Sequence, residues 1–115
     1  MDSSKIIQST RATLGLSETG AEFADEIITY VGAALTILNQ NGVGRVVELT
    51  DTTTWGDFKD PLQIEGNKHF SLVPTFVATR TKILFDPPPP SNVEFFNRYI
   101  EELLWRLKVA YMEAM

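Results

Sequence analysis

Cysteine does not occur among the 115 residues, and histidine occurs once, at His69. The first absence removes disulfides, thiolate nucleophiles and sulfur-ligated metals together. The second leaves one candidate for a histidine base, and its acidic neighbours Asp60 and Glu65 are ordinary for a chain with this density of acids. No apolar run approaches the roughly 20 residues that a bilayer-spanning helix needs, and no basic start followed by an apolar stretch marks the chain for export. No serine sits in a Gly-x-Ser-x-Gly turn, and Gly42 and Gly44 lack the lysine of a phosphate-binding loop. Asp51, Asp57 and Asp60 lack the central glycine and closing glutamate of a calcium loop. We expect no catalytic residue, no cofactor and no metal, and read His69 as an exposed loop residue. Positive charge is sparse as well. Ten Lys plus Arg stand scattered against fifteen Asp plus Glu, a net charge of -5, which argues against gripping nucleic-acid phosphates by counterion release.

Helical signals are what the chain does contain, at a length typical of one domain. Residues 3–14 read as a short helix with Ile6, Ile7 and Leu14 on its apolar stripe, Asp2 or Ser3 as cap, and Gly15 as the terminator. Thr19-Gly20-Ala21-Glu22 has the spacing of a capping box, so a second helix is expected to begin there, with Glu22, Asp25 and Glu26 near its positive end. Phe23, Ile27, Ile28, Val31, Ala34, Leu35 and Leu38 recur at helical spacing until Asn41-Gly42 stops them.

Residues 42–72 lose that period. Val46, Val47 and Leu49 allow a short strand, Thr50 to Thr54 is turn-like, and a connection this long points to a β-hairpin or to a function of its own. Pro74 suits the first turn of a helix over residues 74–85, carried by Val73, Phe76, Val77, Arg80, Ile83 and Leu84. The β-branched residues Thr75, Val77, Thr79 and Thr81 at alternate positions keep a strand open for the same stretch. Four prolines, Pro87 to Pro90, then force a stiff extended corner.

The last helix, residues 92–115 with Ser91 or Asn92 as cap, carries two apolar stripes. Phe96, Ile100, Leu103, Leu104, Leu107 and Ala110 suit the core. Phe95, Tyr99, Trp105, Val109 and Met112 lie elsewhere on the cylinder and need a partner that the domain does not supply. Trp55 and Phe58 read either as contacts to a partner or as anchors pinning the long connection. Arg106 reads either as an intrahelical pair with Glu102 or as an interface residue. The expected fold is mainly α, a small antiparallel bundle of about four helices with a long loop or short β-hairpin between the second and third.

The acidic-started second helix, Trp55-Gly56-Asp57-Phe58, Phe85-Asp86-Pro87-Pro88 and the Glu-Glu-Leu-Leu-Trp-Arg-Leu run at 101–107 appear in an order that resembles the head-tail connector, or adaptor, proteins of tailed bacteriophages. That resemblance implies a single connector domain over residues 1–115, with residues 1–86 as core and 92–115 as the helix that meets partners. It implies a ring, usually of twelve copies, docked beneath the portal in the virion neck and assembled in the host cytoplasm. The ring would extend the DNA channel and receive the stopper or tail, with no catalysis and no membrane. DNA would pass without specific binding, since twelve copies of -5 sum to roughly -60. From the residues alone, a small helical adaptor or regulatory domain binding one partner through its last helix stands as the alternative.

Overall fold

A computed structural model describes residues 3–18 and 20–112. They form six helices: α1 (Ile6–Thr13), α2 (Ala24–Gln40), α3 (Trp55–Phe58), α4 (Ile64–Asn67), α5 (Leu72–Phe85) and α6 (Pro90–Met112). The long helices α2, α5 and α6 pack in sequence, α2 on α5 and α5 on α6, while α1 lies against α5 and α2, and the one-turn α4 sits under the end of α6. The core gathers Ile27, Val31, Ala34, Leu35 and Leu38 of α2 against Val73, Phe76 and Val77 of α5 and Leu103 and Leu107 of α6.

The glycine stops hold as read. Gly42 takes a φ of +82°, its N–H donates to Asn39 O at 3.0 Å, and Val43 N–H reaches back to Leu38 O at 2.9 Å. That is a Schellman motif, with the buried Val43 as its apolar contact. Gly15 closes α1 in the same way, through Gly15 N–H to Ala12 O and Leu16 N–H to Arg11 O.

The start of α2 differs from expectation. Thr19 lies outside the described residues, as do Asp2 and residues 113–115, and the helix begins only at Ala24. Glu22 is drawn off by Arg11: Nη1 donates to Glu22 O at 2.6 Å, Nη2 to its Oε2 at 3.2 Å, and Nε to Ser17 O at 2.7 Å. Arg11 is thereby buried with three of its donors satisfied. Phe23, expected in the core stripe, has a φ of +59° and is half exposed, its ring edge-to-face on Phe85 at 5.0 Å. A left-handed conformation at such a residue costs roughly 1–2 kcal/mol.

Residues 42–72 contain no β-hairpin. Among the described residues there is no strand, only an isolated bridge between Lys5 and Thr54. Order comes instead from α3, whose capping box joins Asp57 N–H to Thr54 Oγ1 at 3.2 Å and Thr54 N–H to Asp57 Oδ2 at 2.9 Å. Val46, read as part of a strand, is almost wholly exposed.

For residues 74–85 the helix prevails over the strand. Val73, Phe76 and Val77 bury against α2 at helical spacing, and Pro74 falls in the first turn, where a missing N–H is harmless. The last helix starts at Pro90 itself, so Ser91 and Asn92 lie inside it and are not its cap. Its far end is locked by Tyr111, whose ring lies on Gly66 so closely that an added Cβ would sit 2.5 Å from it. The Tyr111 hydroxyl donates to Asn67 Oδ1 at 2.9 Å, and Asn67 Nδ2 donates to Asp60 O at 2.7 Å.

Replacing Trp55, 4% exposed, by alanine is expected to lower the unfolding free energy by about 3–5 kcal/mol in urea titrations. Burial pushes the Tyr111 phenol from 10.0 up to about 12. The fold holds the neutral form, so its contribution is whole below pH 10 and falls as pH rises towards 12. Tyr111→Phe should lack that alkaline decline when urea midpoints are followed over the same range.

Candidate interaction surface

The twenty-three residues of α6 divide around its circumference. Leu103, Leu107 and Tyr111 are buried, with Phe96, Ile100, Leu104 and Ala110 half-buried beside them. At about 100° per residue these occupy a little over a third of the cylinder, the side turned to α5 and α4. The remainder faces outward. Phe95 is 67% exposed, Trp105 64%, Met112 58% and Tyr99 39%, whereas Val109 is half-buried.

These outward residues are not one stripe. Phe95 and Tyr99 flank the core-facing side, while Trp105 and Met112 lie on nearly the opposite side, Trp105 about 80° from Phe95 and about 15 Å further along the axis and Met112 about 100° and about 25 Å. Phe95 meets Phe96 edge-to-face at 5.5 Å, so the exposed ring is continuous with a half-buried one. Arg106 donates to Glu102 Oε1 at 2.8 Å, and Arg98 pairs with Glu94, each one turn apart. Arg106 is thus an intrahelical pair in this chain. Both partners are more than half exposed, which limits the pair to a few tenths of a kcal/mol.

Beside this face the proline corner holds α5 and α6 apart. Ile83, Pro87, Pro88, Pro89, Phe96 and Tyr99 are among the residues lining the resulting groove of ~490 Å³, with Lys82 and Asp86 3.9 Å apart on its rim. At the opposite end of the molecule a second apolar group stands out, Val46, Leu62 and Ile64. Gln63 fixes that tip by donating to Gly42 O at 2.7 Å and accepting from Gly44 N–H at 3.0 Å.

Trp55 and Phe58 do not join any of these surfaces. Both are buried, and Trp55 Nε1 donates to Ser9 Oγ at 3.0 Å while its ring meets Phe70 edge-to-face. They anchor the 42–72 connection, and in this conformation present no surface to a partner. The signal for that role was in the sequence, since Thr54-x-x-Asp57 is a capping box placed directly before an aromatic residue. Arg11, Gly66 and Tyr111 had no comparable signal, because each acts through residues distant in sequence.

Nothing among the described residues brings three or more His, Asp or Glu side chains together as metal ligands, and no described helix is long and apolar enough to cross a membrane. His69 lies exposed in the turn after α4.

No curated protein and no solved structure matches the chain. The family model described as phage connector protein does, over residues 6–114, which takes in every helix described above. With that agreement across nearly its whole length, the chain belongs to the phage connector protein family.

Proposed function

We propose that the protein is a ring-forming subunit of the phage neck, docked on the portal, lengthening the DNA channel and offering the platform for the stopper or tail. The observation that carries this reading is the outward side of α6, where Phe95, Trp105 and Met112 stand more than half exposed and Tyr99 in part. Large apolar side chains grouped in this way mark contact surfaces, and aromatic residues dominate their energetics. In the ring, α6 meets the portal or the neighbouring copy, and Arg106 exchanges part of its hold on Glu102 for a contact across the interface.

Twelve copies arranged about an axis, the number usual for such rings, would sum their charge to roughly -60. A channel of that sign repels phosphates, so DNA moves through it without being held. The acids of the first turn of α2, Asp25 and Glu26, are exposed and available for that lining. The subunit acts by shape and contact alone, as one domain, in the virion neck. Residues 1–86 form its body and residues 92–115 its docking segment.

The test is light scattering and negative-stain microscopy of the chain, alone and mixed with the portal of the same phage. Rings, or a portal complex with cyclic symmetry, are expected. A monomer that persists beside the portal would end the reading, and a one-to-one complex with a single protein would replace it with an adaptor role. Trp105→Ala and Phe95→Ala should change unfolding free energy by no more than about 0.5 kcal/mol, because both side chains are exposed. If they anchor the contact, each weakens assembly by about 2 kcal/mol or more.

A further inference from the structure

We propose that Arg11 is a latch that holds residues 20–23 out of α2, and that its release lets α2 grow backwards by one turn, drawing Phe23 off Phe85. Four observations meet at this point. Phe23 has a φ of +59°, the one non-glycine residue of positive φ among those described, and it is the break that separates α2 from the turn before it. The preceding turn is a single β-turn closed across Phe23, with Ala24 N–H donating to Ala21 O at 3.3 Å, so a change at Phe23 is what separates it from a further turn of α2. Glu22, whose place in the sequence suits the first turn of a helix, instead has both its carbonyl and its carboxylate on Arg11. Gly20 makes room for this arrangement: a Cβ there would lie 2.6 Å from Glu22 Oε1 and 3.0 Å from Arg11 Nη2.

The two states compete for the same groups. In the latched state Glu22 O accepts from Arg11, whereas in a lengthened α2 it would accept from the backbone N–H four residues on. Glycine at 20 disfavours the second state and permits the first. Release need not strand the guanidinium. A cavity of ~320 Å³ lies between α1 and this segment, lined by Arg11, Glu18 and Asp51 among others, so carboxylates and water are at hand. The change would alter the end of the molecule where Phe85 leads into the proline corner. Contact with a partner at that end would therefore be coupled to the latch.

The experiment is nuclear magnetic resonance on the full chain, reading Cα secondary shifts at residues 21–23 and exchange of the Arg11 Nε–H. Gly20→Ala and Glu22→Ala should both move those shifts to helical values and speed Nε–H exchange at least tenfold. Adding Phe23→Gly to either should return the shifts to their original values, because glycine accepts positive φ and resists helix. Non-helical shifts in both variants, with Nε–H protection unchanged or lost without helix formation, would overturn the proposal. Should Gly20→Ala fail to fold, Arg11→Met, which removes every donor of the latch, decides the matter through the shifts at residues 21–23: helical values sustain the proposal and unchanged values overturn it.

Discussion

A helix of twenty-three residues presents apolar groups around more of its circumference than two neighbours can cover, and much of this molecule follows from that excess. α5 and α4 together bury one side of α6, through Leu103, Leu107 and Tyr111. The seat at the far end is tight. Tyr111 rests on the bare backbone of Gly66 and is tied through its hydroxyl to Asn67, so the C-terminal half of α6 is held in one orientation. At the near end Pro87 to Pro90 set the distance from α5 and keep a groove open. A helix fixed at one end and spaced at the other presents Phe95, Tyr99 and Trp105 in defined positions, which reduces the ordering cost of binding.

The same economy explains the 42–72 connection. It has no sheet to order it, and its backbone groups are satisfied piecemeal: by the Thr54–Asp57 box, by Thr53 Oγ1 donating to Glu48 O at 3.1 Å, and by the Gln63 amide on Gly42 and Gly44. Trp55, Phe58 and Phe70 supply the apolar anchors. The entry to α1 is tied to the same segment by Ile6 N–H to Thr53 O at 2.9 Å and Trp55 N–H to Ser4 O at 3.0 Å. A loop so held is a rigid part of the body, and the exposed Leu62 and Ile64 on it sit at a fixed tip.

What could be read from the sequence was what depends on neighbours in sequence. Gly15 and Gly42 end helices because only local geometry is involved, and the core stripes of α2 and α6 follow from period alone. Proline placed the corner between α5 and α6 within a few residues. The failures are of another kind. A capping box at Thr19 was legible, yet Glu22 had a stronger competitor in Arg11, eleven residues away and buried. The box that does operate, Thr54 with Asp57, is equally local, but the threonine run before it reads as a turn and drew attention from it. For the interaction surface, the two sets of residues on α6 were separable by period, and the chain leaves most of the outer set uncovered. That Phe95 and Trp105 point some 80° apart also follows from helical geometry, but its meaning depends on where the core lies.

That divergence bears on how the outer face would be used. Phe95 and Trp105 stand about 80° apart around the helix and about 15 Å apart along it, so they belong to different lengths of its outer side. Phe96 and Tyr99 line the proline groove beside α5, and Phe95 meets Phe96 edge-to-face outside it. Trp105 and Met112 are exposed on the side of the helix away from the core. In the ring proposed above, these two lengths of α6 would meet different neighbours, and contacts of unlike surfaces are what generate closed rings by rotation about an axis. A symmetric pair would need only one self-complementary patch.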